Sequence, residues 1–454
     1  MDRWNTPSVR EAVAGLIAGG WLVGLWVVLA FVARPARLDR ETVRVSWVRR
    51  YWRFWRSLAI RIGSQLTGWP HVVDVLHGVK QEARVPAHRW ERLGSFGPGS
   101  LLRVQGSAPA TKAPVLLVHS LVSKAWVLDL VEESSLAGGL LEAGHDVFIL
   151  DWLPPGDARR SWRQGIVDLV TIVRAAEERV RWTTGAPRVH VVGYCLGATV
   201  VLLRAATWPE PALASVSLIA PVVGGGGEGM GQVLGHPWLR PGFALDDRGN
   251  VPGPLVREAF HWLRPQALRT VFRRRPRRGD AFGRRAYAAM ACWTWEHQDL
   301  PGDVLVDMAR LYREDPFVTG AWSLAALDAP VLVLHAERDH IVPPPSSTVL
   351  SSLLLRPPEV VAVPGGHVGM LVGPNGATVL RPALVDFLAR NEDDADAAGV
   401  DRGQQRVGEV DPRPRPRGEA RGAVRRARLA RPPAQLERAP DRAAAGGGGF
   451  APPD

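Results

Sequence analysis

Between Leu101 and Leu388 the chain alternates short apolar runs with helical segments, and this alternation restricts the fold more than any other feature. The runs are PVLLVH (Pro114–His119), DVFIL (Asp146–Leu150), VHVVG (Val189–Gly193), SVSLIA (Ser215–Ala220), PVLVLH (Pro330–His335) and EVVAV (Glu359–Val363). A short, nearly continuous Val/Leu/Ile run reads as a strand buried on both faces, which is the habit of parallel sheets with helices on either side. The pattern predicts a doubly wound, mostly parallel α/β sheet. A long insert, about Pro221 to Asp328, separates the fourth and fifth runs. It is Trp-rich and helical in pattern, and is expected to sit over the sheet as a cap.

The flanks differ in character. Ala12 to Ala33 is 22 residues without a charge, long enough to cross a bilayer as a helix. A signal peptide fits less well, because Asp2, Arg3, Arg10 and Glu11 leave the preceding segment without net positive charge and Phe31-Val32-Ala33 is a poor cleavage site. Arg34, Arg37, Arg40, Arg44, Arg49, Arg50, Arg53 and Arg56 follow, so the positive-inside rule puts the bulk of the protein in the cytoplasm, on a single-pass anchor in the cytoplasmic membrane. Trp47, Tyr51, Trp52 and Trp55 are interleaved with these arginines at roughly helical spacing. Such a helix either lies among lipid headgroups or packs its aromatics on the main domain. After Asn391 the chain is rich in Pro, Arg, Ala and Gly, and it is expected to be disordered for want of apolar surface. The division is therefore 1–40 for the membrane helix and its flanks, 41–84 for the basic aromatic segment, 85–390 for the catalytic domain with its cap at about 221–328, and 391–454 for the tail.

The chain has 454 residues and a formal net charge of +11. Much of that excess lies outside the expected core, so it says little about a site, and no nucleic-acid partner is expected. Two cysteines, Cys195 and Cys292, exclude a disulfide framework and fit a reducing compartment. No Cys/His spacing suggests a metal and no glycine-rich loop suggests a nucleotide-phosphate cradle.

The chemistry centres on VHVVGYCLGATVVLL, Val189 to Leu203. An apolar strand meets Gly193-Tyr194-Cys195-Leu196-Gly197 and continues as a helix, which is the context of a nucleophile elbow. The glycines permit the tight turn. Cys195 would stand above the carboxyl end of the sheet, near a helix N-terminus that favours a thiolate. In the elbow architecture the nucleophile is followed in the chain by an acid and then a histidine. Asp339, in the loop after PVLVLH, and His367, in the loop after EVVAV, fill those places at the same sheet edge. This combination is that of an α/β-hydrolase fold. The oxyanion hole should use the backbone N–H of Leu196 and a second donor from the loop after PVLLVH, at Leu121 or its neighbours Ser120 and Val122.

GYCLGAT, DHIVPP and GGHVGMLVG resemble the corresponding segments of polyhydroxyalkanoate synthases. VLLVHSLVSKAWVLDL and HDVFILDW resemble that family's early strands, FHWLRPQAL its cap, and DLPGDVLVDMARLY the region leading to the aspartate strand. The resemblance covers about Leu101 to Leu388, and size and elbow look closest to the short class III catalytic subunits, which work with a partner subunit. It implies Cys195 as nucleophile, His367 as base and Asp339 as its partner. It further implies polymerisation of 3-hydroxyacyl-CoA with release of CoA, a CoA thioester as substrate without a cofactor, and a partner subunit or a homodimer. Where the family usually has a second glycine this chain has Ala198. A membrane-tethered cysteine hydrolase acting on esters or thioesters is the competing activity.

Four further residues stand outside this triad. Arg273 and Arg274, within RTVFRRRPRRGD, are candidates to meet CoA phosphates, against a solvated loop or one facing anionic lipid. His340, beside Asp339, is a candidate to line the substrate site or to hydrogen-bond behind it. Cys292 lies among Trp293 and Trp295 and reads as packing.

Deleting residues 1–40 should move the protein from the membrane fraction to the soluble fraction. A full-length chain that already fractionates as soluble refutes the anchor.

Overall fold

The computed structural model describes residues 86–392 except 154–164, 209–211, 225–229, 237–240, 247, 264–284, 287–288, 291–292 and 294–295. The expected membrane helix at 12–33, the basic segment at 41–84 and the tail from 393 onward lie outside the described residues, as do Arg273, Arg274 and Cys292. Among the described residues no helix is long and apolar enough to cross a membrane.

All six apolar runs form strands of one sheet: β3 (Val115–Val118), β4 (Val147–Trp152), β5 (Val189–Tyr194), β6 (Leu213–Ile219), β9 (Val331–Ala336) and β10 (Glu359–Val363). Two more strands precede them, β1 (Trp90–Phe96) and β2 (Gly99–Val104), and the order across the sheet is β1-β2-β4-β3-β5-β6-β9-β10. From β4 to β10 every neighbouring pair is parallel, while β2 runs antiparallel to both β1 and β4. The sheet is thus the expected α/β-hydrolase type, extended by a hairpin that the apolar runs did not reveal. The hairpin turns at Gly97, whose φ of 56° suits a two-residue connection. Its strand WERLGSF carries polar residues on a partly wet face and a bulge between Arg92 and Gly94, so it has no continuous apolar run to recognise.

The central strands are apolar because both faces are covered: β3, β5 and β6 are buried along their whole length. Five helices carry most of the cover and the cap: α1 (Leu136–Glu142), α2 (Ile166–Thr184), α3 (Leu196–Thr207), α4 (Gly253–Leu263) and α5 (Gly302–Glu314). A sixth, α6 (Arg381–Arg390), closes the domain against α1. The segment between β6 and β9 holds α4, α5 and a two-stranded ribbon of β7 (Asn250–Val251) and β8 (Leu300–Pro301). It is tied to the body through Asp307 of α5, whose carboxylate accepts the backbone N–H of Ile166 at the start of α2 at 2.9 Å.

α2 and α3 pack together and enclose a buried ion pair. Arg204 Nη2 meets Glu177 Oε2 at 2.5 Å, and Arg204 Nη1 donates to the Trp208 carbonyl at 2.7 Å. Both side chains are excluded from water. Removing one member takes an ion-pair partner from the other's charge in a dry interior. Arg204→Met should therefore cost about 3–5 kcal/mol in denaturant unfolding, and adding Glu177→Met should recover most of that loss. A double variant no better than the single one contradicts this account.

Candidate active site

Cys195 sits between the end of β5 and the start of α3 with φ 55° and ψ −125°, a conformation that side-chain-bearing residues rarely adopt. The backbone is held there from both sides. Cys195 N–H donates to the Ile219 carbonyl at 2.8 Å, and its own carbonyl accepts from Ala198 N at 2.9 Å and Thr199 N at 3.3 Å. The two glycines of the motif are needed for space. A Cβ on Gly193 would strike the backbone of Ala198, and one on Gly197 would strike the carbonyl oxygens of Val118 and His119. Helix, nucleophile strand and the end of β3 are thus drawn to backbone contact. Ala198 is fully buried in that contact, so its methyl is accommodated inside the packing.

Asp339 follows β9 and His367 follows β10, and the fold brings them together: His367 Nδ1 and Asp339 Oδ2 are 2.7 Å apart. The other carboxylate oxygen, Oδ1, accepts the N–H groups of Ile341 and Val342, each at 2.9 Å. This fixes the carboxylate and directs the Nδ1 proton toward it, leaving the other ring nitrogen for Cys195, which interacts with His367 both through charge and through a side-chain hydrogen bond. Burial alone would drive the imidazole toward neutrality. The charges of Asp339 and Cys195 and the hydrogen bonds to both outweigh it and push the His367 pKa up to about 10. Cys195, His367 and Asp339 are all nearly excluded from solvent.

Two tyrosines join the site without having been expected. Tyr194, the residue inside the elbow motif, stacks on the His367 ring with centroids 5.3 Å apart and planes at 30°, and its hydroxyl donates to the His367 carbonyl at 3.4 Å. Burial, with the charges of Cys195 and Asp339 added, raises its pKa well above the usual phenol value. Tyr312 of α5 is raised by the same three causes, burial being the largest. The sequence carried a cue for Tyr194, since a residue between the glycine and the nucleophile must stand at the sheet edge. It carried none for Tyr312.

Leu196 is the first residue of α3, where an N–H has no intrahelical acceptor. Leu121 lies in the buried loop after β3, next to the His119 carbonyl that abuts Gly197. Neither N–H donates to an acceptor among the described residues. His340, by contrast, is exposed, whereas Asp339 is buried. No group of three His, Cys, Asp or Glu side chains among the described residues could hold a metal ion. The arrangement provides a nucleophilic sulfur, an imidazole to carry one proton and a carboxylate that holds the imidazole.

Residues 113–374 match the family model described as alpha/beta hydrolase fold. Among characterised relatives, the poly(3-hydroxyalkanoate) polymerase subunit PhaC of Allochromatium vinosum is 26% identical over 305 residues, 63% of this chain and 83% of that protein. The protein of the same name from Thiocystis violacea is 26% identical over 296 residues, 61% of this chain and 81% of that one. Among solved structures, the monoacylglycerol lipase of Paleococcus ferrophilus aligns with a TM-score of 0.39 at 19% identity, covering 64% of this chain and 99% of that one.

The raised His367 pKa has a consequence for stability. The folded site holds this proton more tightly than the unfolded chain, so the stabilisation is complete below about pH 6.5 and is lost as pH rises toward 10. Asp339→Asn removes the main favourable charge. In urea unfolding, the stability gap between wild type and Asp339→Asn should narrow as pH rises through that window. A gap that is constant or widens contradicts the assignment.

Proposed function

The chain belongs to the alpha/beta hydrolase family and, within it, to the polyhydroxyalkanoate synthases, and from that premise we propose that it polymerises 3-hydroxyacyl-CoA through an acyl-cysteine. The observation that carries the mechanism is a cysteine, not a serine, on a strained elbow with a buried His367–Asp339 pair behind it. His367 already holds the proton given up by Cys195, and the sulfur attacks the thioester carbonyl as the thiolate. The tetrahedral oxyanion is held by the N–H groups of Leu196 and Leu121. On collapse the carbon–sulfur bond to CoA breaks, and the departing thiolate takes the proton from His367 to leave as free CoA. The acyl group is now a thioester of Cys195, and little free energy has been spent, because one thioester has replaced another.

In the second half-reaction His367 takes the proton of a hydroxyl on another hydroxyacyl unit. The oxygen attacks the acyl-cysteine, an ester carbon–oxygen bond forms, and the bond to Cys195 sulfur breaks, which restores the thiolate beside the imidazolium. Water must be kept out, since it would compete with the hydroxyl for the same carbonyl. The cap, with Trp293, Met308, Leu311 and Tyr312 buried, supports that exclusion.

The charge-free segment at 12–33, with arginines behind it, supports attachment of this enzyme to the cytoplasmic membrane with its catalytic domain in the cytoplasm. The relatives are named as polymerase subunits, which supports a partner chain or a second copy here as well.

Incubation of the purified protein with 3-hydroxybutyryl-CoA should release free CoA and produce polymer. Free CoA with only free acid would mean a hydrolase. Cys195→Ala should abolish release. Cys195→Ser should stay folded but transfer poorly, because an acyl-serine ester is less activated than the thioester.

A further inference from the structure

Polar side chains of the cap reach down to the loop that follows β3. Gln298 Nε2 donates to the Leu121 carbonyl at 2.9 Å, and Gln298 Oε1 accepts from Lys124 Nζ at 3.3 Å. Trp293 Nε1 donates to the Lys124 carbonyl at 3.0 Å. Both Gln298 and Trp293 are buried. The strip that carries Gln298 is itself held. Gly253 N–H, at the start of α4, donates to Asp299 Oδ1 at 2.8 Å, and β8 pairs with β7 immediately beyond. A Cβ on Gly253 would collide with the His297 carbonyl, so the strip lies against the α4 backbone itself.

These contacts have a directional effect. A trans peptide is planar, with its carbonyl and N–H pointing opposite ways, so fixing one fixes the other. Trp152 Nε1 donates to the His119 carbonyl at 3.0 Å, which holds the peptide joining residues 119 and 120. Gln298 holds the carbonyl of the peptide joining 121 and 122, while its N–H, that of Val122, points to Ser120 Oγ at 3.4 Å. Between these two anchored planes lies the peptide joining 120 and 121, and it carries the Leu121 N–H that has no protein acceptor among the described residues.

We propose that Gln298 is a positioning residue that sets the Leu121 N–H as the second oxyanion donor, so that the oxyanion hole is complete only when the cap is seated. The proposal rests on the acyl-cysteine chemistry given above, but not on what finally accepts the acyl group. Gln298 touches neither nucleophile nor base. It acts through the loop, and its effect should be confined to steps that develop negative charge on oxygen.

Two reactions of Cys195 separate that role from general support of the fold. Acylation by p-nitrophenyl butyrate passes through an oxyanion, whereas alkylation by iodoacetamide, followed by mass on the Cys195 peptide, does not. In the full-length protein, Gln298→Leu should slow the nitrophenol burst by roughly 100-fold, the scale of one lost oxyanion donor, with alkylation within about 3-fold of wild type. Gln298→Glu keeps the volume and the acceptor for Lys124 but loses the donor to Leu121, and should fall in the same direction. A burst within about 3-fold of wild type in Gln298→Leu overturns the proposal, as does alkylation that falls in step with acylation. Absence of a burst in the wild type overturns it as well. A wild-type burst accompanied by free acid instead of polymer from 3-hydroxybutyryl-CoA removes the polymerase reading and leaves the positioning role to be decided by the variants.

Discussion

The backbone of Cys195 is the constraint from which the rest of the site follows. A non-glycine residue at φ 55° carries strain of about 1–3 kcal/mol, and it persists only where its surroundings leave no alternative. Here the surroundings are backbone against backbone. Gly193 lies on Ala198, Gly197 lies on the ends of β3, and three hydrogen bonds lock the amide and carbonyl of Cys195. The strain lifts the sulfur out of the sheet edge and leaves the first N–H of α3 open beside it. Any side chain added at either glycine would separate β5, α3 and β3. The nucleophile, the helix end and the oxyanion loop would then be lost together.

The charge arrangement allows one proton to move. Asp339 has committed both oxygens, one to His367 and one to two backbone N–H groups, so it orients the ring without acting as a base. Burial and the nearby negative charges keep Tyr194 and Tyr312 protonated. Tyr194 then presents its ring face to the imidazole and its hydroxyl to the His367 carbonyl, which holds both parts of that residue in place. The mobile proton is left between Cys195 and His367. An imidazole that holds its proton up to about pH 10 leaves the sulfur with a positive neighbour through the physiological range.

What could be read from the sequence was what is locally encoded. Six strands announced themselves as apolar runs, five of them because both of their faces are covered and β10, at the sheet edge, in spite of its exposed residues; the elbow, Asp339 and His367 each sit one loop beyond such a run. The β1–β2 hairpin escaped because its outer strand is half wet and bulged, so hydrophobicity along the chain does not mark it. The Leu121 donor could be assigned only loosely, since a backbone N–H has no side-chain signature. Gln298 lies 177 residues from the carbonyl it holds, and nothing in its local sequence distinguishes it from a surface glutamine. Tyr312 is similar: helix periodicity marks it as core, and only the tertiary packing of α5 brings it within electrostatic reach of Cys195.

A cysteine nucleophile makes the cap a chemical necessity in the proposed reaction. An acyl-cysteine keeps the activation of the CoA thioester, so it can be drawn forward to an ester, but it is for the same reason open to hydrolysis. A site that formed its oxyanion hole in open solvent would stabilise attack by water as well as by a hydroxyl. Linking the hole to the cap through Gln298 and Trp293 avoids this. While the cap is seated, water is excluded and Leu121 N–H is in place. Without the Gln298 contact the peptide after Leu121 loses its anchor from the cap, and the neighbouring peptide that carries the donor is flanked by one held plane instead of two. Exclusion of solvent and stabilisation of the transition state then depend on the same few hydrogen bonds.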